Sequence, residues 1–271
     1  MDAGSDRYTH GHHESVLRSH TWRTAHNSAA YLLPCLRPHM RMLDVGCGPA
    51  TITVDFAQIL SEGSVVGIEP IAGPLEIART NAEQAGVTNI EFAIGDVYRL
   101  EYADDSFDVV HAHQVLQHLS DPVAAIKEMA RVCKPDGYVA FRDADYAAMS
   151  WYPHVALLDE WQALYQAVTR SNHAEPNAGR HLKKWAIEAG LTDVRLTASV
   201  WSYATDEEVE WWSSLWAERT VSSNFGVQAV ADGLVTAERA AEIAGGFRQW
   251  AADPAAVFFV PNAEVIARPA R

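Results

Sequence analysis

Met42–Thr53 reads MLDVGCGPATIT: a short apolar run, two glycines one residue apart, then a run with helical character. Glycine loses more chain entropy on folding than any other residue. A pair at a strand end therefore marks backbone that must go where a Cβ would not fit. Around this stretch strands and helices alternate. MRMLDV is a strand and TITVDFAQILS a helix; SVVGIE is a strand and GPLEIARTNAEQAG a helix. NIEFAIGD and SFDVVHAH are strands, DPVAAIKEMARVC is a helix, and GYVAFRDAD is a strand. Asp121 can cap the last of these helices, and Pro122 suits its first turn. From about Met40 to Phe141 the rhythm predicts a parallel α/β sheet with helices on both faces.

The chain has 271 residues, 48% hydrophobic and 21% charged, which suits a globular protein with a sizeable core. No apolar run approaches the roughly 20 residues that span a bilayer. The N-terminal MDAGSDRYTHGHHE has neither the basic nor the apolar region of a signal peptide. Cys35, Cys47 and Cys133 are an odd, scattered set, read as free thiols in a reducing, cytoplasmic setting. The formal charge of −14 opposes nucleic-acid binding but not a cationic small molecule.

Beyond the alternating core the rhythm loosens. Residues 1–39 read as a helical extension, and 40–145 as the cofactor-binding core. Residues 146–176 are mostly one helix inserted over the site. RHLKKWAIEAG and TDVRLTASVWSYA, within 177–205, return a helix and a strand to the core. Residues 206–254 are a second helical insertion, and 255–271 a last strand pair or one broken strand.

In open α/β sheets ligands bind at the carboxyl ends of the strands, where strand order reverses. Gly46-Cys47-Gly48 is the first strand-to-helix turn. Thr51 stands where a dinucleotide fingerprint would carry a third glycine. Glu69 ends the next strand and can accept from both hydroxyls of a ribose, which fits NAD as well as other adenosine cofactors. Asp96 ends the third strand, after Gly95, and can accept from an adenine amino group. Two acids on successive strand ends plus a glycine turn make an adenosine cradle without a pyrophosphate.

At these residues the chain resembles the class I S-adenosylmethionine-dependent methyltransferases. LDVGCGPATIT is similar to their first motif and GIEP to their second. GDVYRLEYADDSFDVVHAHQVLQHLSDP resembles the third and fourth, and KEMARVCKPDGYVAF the stretch before the fifth strand. VLQHLSDP resembles the branch holding quinone-biosynthesis and natural-product methyltransferases. Ala50 and Asp136 stand where that family often has glycine. The resemblance implies a Rossmann-like seven-stranded sheet with helical lids. S-adenosyl-L-methionine would be the cofactor and S-adenosyl-L-homocysteine the product. Asp44, Gly46, Cys47 and Gly48 would face the methionine moiety and Glu69 the ribose. Pro70 and Leu75 would flank the adenine, with Gly95, Asp96 and Val97 at its edge, and His113 would lie near the sulfonium.

Seven of the nine tryptophans fall in residues 1–39, 146–176 and 206–254; only Trp185 and Trp201 do not. Aromatic-lined pockets favour flat or greasy ligands, so the acceptor is expected to be an apolar or aromatic small molecule, a secondary metabolite or quinone-like compound. The same tryptophans would equally serve as glue between helices and sheet. A histidine suits the removal of a proton from a hydroxyl acceptor, whereas an activated carbon needs only proximity. His113, His118 and His20 are the candidates, and Tyr8 and Arg23 are candidate lid contacts to the cofactor. His118 also reads as a structural hydrogen bond in its turn. HGHH at 10–13 lacks the acid or Cys pattern that would complete a tetrahedral site, so no metal is expected. The N-terminal extension could exchange between subunits of a homo-oligomer. A protein of this fold that holds the cofactor but cyclises a substrate, or only binds, and an NAD-linked oxidoreductase are the other readings.

Overall fold

The computed structural model describes Thr9 and residues 22–270. β1 (Arg41–Val45), β2 (Ser64–Glu69), β3 (Ile90–Ile94), β4 (Phe107–His113) and β5 (Cys133–Ala144) are parallel, in the spatial order β3-β2-β1-β4-β5. β8 (Val257–Arg268) runs antiparallel beside β5 and beside β7 (Thr192–Tyr203) on its other edge. A short β6 (Ser150–Tyr152) also pairs with β8, taking up the line of β5 after a 3-10 turn at Tyr146–Ala148. The seven expected strands are therefore joined by a three-residue eighth. The tail expected as paired or broken is one continuous strand, with Pro261 where its neighbour changes from β5 to β6.

Alternate strand residues feed opposite faces, as a period of two requires. Met42, Val65, Val109 and Ala140 pack with Ile52 and Phe56 of α2 (Thr51–Ile59) and with Ala25, just inside α1 (Ala25–Ser28). Leu43, Val66, Val110 and Val139 pack on the other face against α4 (Pro122–Val132) and α6 (Leu182–Glu188). α3 (Ala72–Ala85) follows β2 and ends on Gly86 in the left-handed region. Asp121 accepts from Ala124 N at 2.9 Å, as its place before Pro122 foretold.

The two insertions build a third core of their own. α5 (Ala156–Ser171), α7 (Asp206–Ser222), α8 (Asn224–Ala231) and α9 (Ala237–Ala251) surround Trp161, Trp216, Trp250, Tyr165 and Phe247, each 0–1% exposed. Trp161 meets Trp216 edge-on at 4.6 Å and Phe247 at 5.1 Å, the geometry aromatic pairs prefer. Thr205 and Glu208 form a capping box that starts α7. This core rests on the halves of β7 and β8 that contribute Trp201, Tyr203, Phe258 and Val260.

Candidate active site

β1 has β2 on one side and β4 on the other, so strand order reverses there and a crevice opens at the carboxyl ends. The glycine turn fills that point. Gly46 and Gly48 have φ of +67° and +56°, and the Gly46 and Cys47 amides both donate to the Ile68 carbonyl, at 2.9 and 3.1 Å. A Cβ on Gly46 would lie 2.5 Å from Val115 Cγ2, so only glycine fits between the two loops. Ala50 ends the loop at φ +62°, a conformation that disfavours any side chain. Asp136, by contrast, is not left-handed; the close approach there is at Gly137, where a Cβ would meet the Asp108 carbonyl at 2.6 Å.

Asp44 is 3% exposed and spends both oxygens on the protein. Oδ2 accepts from the Thr53 hydroxyl at 2.6 Å, and Oδ1 lies 2.7 Å from His111 Nδ1. It thus ties β1 to α2 and β4 beneath the turn. His111 sits inside β4, not after it, and is the registered partner of Asp44 across the sheet. Glu69 Oε1 accepts from the Gly48 amide at 2.6 Å. Burial raises its carboxyl to about 7, against the opposing pull of that amide.

A cavity of about 420 Å³ opens above these residues. One half is walled by Asp44, the Gly46–Gly48 backbone, Glu69 and Pro70. The other is walled by Tyr146, Met149, Trp201, Tyr203, Trp212 and Trp216, with His113, Gln117, His118 and Arg23 also in the wall. Arg219, on α7, is 4% exposed and holds its guanidinium 5.1 Å from the Trp216 ring centre; Arg23 lies 5.5 Å from that of Trp201. His113 lies 5.7 Å from the same Trp201 ring. Burial, and then the Arg23 charge, lower His118 to about 3, so its ring is neutral and a weak base.

Of the residues foreseen for the cofactor, Asp44, Gly46, Cys47, Gly48, Glu69, Pro70, His113 and Arg23 meet in this wall. Leu75, Gly95, Asp96 and Val97 do not line it. Leu75 is 1% exposed, next to the lining Pro74. Gly95 donates its amide to the Glu69 carbonyl at 2.9 Å, and Asp96 Oδ1 accepts from the Tyr98 amide at 2.9 Å. Tyr8, His20 and the HGHH stretch lie outside the described residues. Among the described residues no group of three His, Cys, Asp or Glu is placed to hold a metal, and no helix is long and apolar enough to cross a membrane. The tryptophans divide: Trp161 and Trp250 are glue, whereas Trp212 and Trp216 serve both the core and the cavity. Trp201 and Tyr203 were not foreseen, although both end an extended run from which the chain enters α7.

An open, mixed sheet whose first five strands are parallel, with a bare glycine turn, an acid ending β2 and a roomy cavity over the switch point, defines an α/β protein that binds a nucleoside-like ligand. Comparison with known proteins narrows this class. Residues 36–193 match the family model described as "Methyltransferase domain". An uncharacterized methyltransferase of Schizosaccharomyces pombe is 34% identical over 269 residues, 96% of this chain and 95% of its own. A crystal structure of a putative methyltransferase from Bacillus halodurans shares the fold with a TM-score of 0.61 at 19% identity, covering 89% of this chain and 98% of that one. The [4+2]-cyclase SpnF shares it with a TM-score of 0.55 at 18% identity, covering 99% and 89%. The chain belongs to the class I S-adenosylmethionine-dependent methyltransferases.

The described residues fit that cofactor. The left-handed glycine turn lays its backbone along the cavity wall, and Glu69 offers a carboxyl, raised to about 7 by burial, in the same wall.

Proposed function

We propose that the enzyme moves a methyl group from S-adenosylmethionine to a carbon or oxygen of an apolar or aromatic small molecule. The observation that carries this reading is the division of one cavity into a glycine-turn half and an aromatic lid half. In the first half, Gly46–Gly48 would lie against the amino-acid end of the cofactor, with Glu69 at the ribose and Pro70 beside the adenine. Asp96 and Val97, which follow β3 beside this wall, would meet the adenine edge. The bound cofactor supplies a sulfonium methyl as the electrophile.

The chain's own residues align the acceptor, exclude water and, for a hydroxyl acceptor, take a proton. Trp201, Tyr203, Trp212 and Trp216 offer flat apolar faces for the acceptor. His113 is the better candidate base, because His118 at about 3 holds a proton too weakly to take one from a hydroxyl. His20 and Tyr8 would join from the N-terminal segment.

The cyclase reading keeps one specific support. The fold is shared along nearly the whole chain with a protein named as a cyclase, so the fold by itself does not fix the chemistry. Ligand-stripped protein titrated with S-adenosylmethionine, S-adenosylhomocysteine and NAD is the first test. The two adenosyl compounds at about 100 times their Kd should add about 2.7 kcal/mol of stability, and NAD nothing. A shift with NAD alone would refute the reading. Release of S-adenosylhomocysteine on adding aromatic acceptors then separates transfer from cyclisation or mere binding.

A further inference from the structure

Three side-chain amides, two of them in the cavity wall, form a chain with a fixed direction. Asn262 Nδ2 donates to the Val260 carbonyl at 2.8 Å, Gln114 Nε2 to Asn262 Oδ1 at 2.6 Å, and Gln117 Nε2 to Gln114 Oε1 at 2.6 Å. A backbone carbonyl only accepts, so the Asn262 end facing it must be its NH₂ group. That sets the Asn262 oxygen toward Gln114, which must donate, and each later amide follows. Reversing any one of them would bring two oxygens or two NH₂ groups face to face. The far end is therefore obliged to be an oxygen, Gln117 Oε1.

That oxygen is buried and has no hydrogen-bond donor among the described residues, and Gln117, 3% exposed, stands in the cavity wall. A buried acceptor without a donor is costly and calls for a partner that the described residues do not supply. Gln117 belongs to the lid half. Its carbonyl accepts from the Glu175 amide after α5, and its amide donates to Asp143 Oδ1, next to lining Ala144. Trp212 Nε1, on a wall residue of the same half, is a buried donor without an acceptor among the described residues.

We propose that Gln117 is a specificity-determining residue that accepts a hydrogen bond from an O–H or N–H of the acceptor molecule, so that the acceptor class is a hydroxylated or amino-bearing aromatic rather than a hydrocarbon or ether. Asn262 is a positioning residue that acts through Gln114 to keep the Gln117 oxygen, and not its NH₂, at the open end. The inference rests on the proposed cofactor reading, since it assigns the remaining half of the same cavity.

The test uses the full chain saturated with S-adenosylhomocysteine, whose own affinity is measured first. 2-Naphthol and 2-methoxynaphthalene are then titrated against tryptophan fluorescence. The pair shares a ring system and differs in the donor. Wild type should bind the naphthol about tenfold more tightly, because the ether leaves the Gln117 oxygen unpaired. Gln117→Met should bring the ratio close to one while S-adenosylhomocysteine affinity holds. Asn262→Leu should do the same with Gln117 in place, because the freed amides can then turn. A wild-type ratio near one, no binding of the naphthol, or a ratio unmoved by both variants overturns the assignment. So does a loss in Gln117→Met that falls on S-adenosylhomocysteine and spares the pair. Failure of wild type to bind S-adenosylhomocysteine instead overturns the cofactor reading beneath it.

Discussion

Replacing Glu69 by Gln should make the ligand-free protein more stable and its cofactor site worse. Glu69 is 9% exposed, and burial raises its carboxyl from 4.5 to about 7. Between those values the folded protein holds a proton that the unfolded chain has released, so stability falls as pH rises through that window. At about 1.4 kcal/mol for each pH unit crossed between 4.5 and about 7, the full penalty is roughly 3 kcal/mol above pH 7. Gln keeps an oxygen for the Gly48 amide and carries no charge. Glu69→Gln should therefore match wild type near pH 4.5 and exceed it by about 3 kcal/mol at pH 8, about 6–10 °C in Tm. Asp143, which burial raises to about 8, titrates in both proteins and cancels in the difference. Binding should move the other way. Wild-type affinity for S-adenosylhomocysteine should rise up to tenfold per pH unit from 5 to 7, as the carboxylate forms to receive two ribose hydroxyls, and that of the variant should stay flat and weak. Calorimetry across pH 4.5–8 reads both. Stability curves that stay parallel, or a wild-type affinity indifferent to pH, would refute the reasoning.

Ala50→Gly should stabilise the protein by about 0.5–1 kcal/mol, since relief of a left-handed alanine exceeds the added entropy of the unfolded chain; urea midpoints check it. Trp161→Ala removes a fully buried ring from the lid core and should cost about 3–5 kcal/mol, read from the same midpoints. With any acceptor found, kcat/KM should show no inflection belonging to His118 between pH 5 and 9, because its ring is lowered to about 3. A His118→Asn variant with the same pH profile as wild type is the expected outcome.

The alternation from Met40 to Phe141 and the bare turn at Gly46–Gly48 were legible because they rest on local rules: period, capping and the absence of a Cβ. Glu69 was legible because it ends the strand that follows the turn. The partnership of Asp44 with His111 was not, since it depends on a parallel register that joins residues 67 apart. Trp201 and Tyr203 were hidden for a related reason. β7 is exposed over most of its length, at the open edge of the sheet, and only its end turns into the lid core. The direction of the Gln117–Gln114–Asn262 chain needed one backbone carbonyl far away in sequence. Asp96 was read from its place at a strand end, and that place lies beside the wall and not in it.

β8 lies between β5 and β7, yet it is made after both. Until it emerges from the ribosome, each of those strands keeps a row of unsatisfied amides and carbonyls, and the helices of the two insertions lack the half of their floor that Phe258 and Val260 supply. The sheet is thus closed like a zip by a late segment, and the wall of the cavity is finished in that same event. A nascent chain halted before Val257 would carry a complete glycine turn and an aromatic half without the strand that seats it.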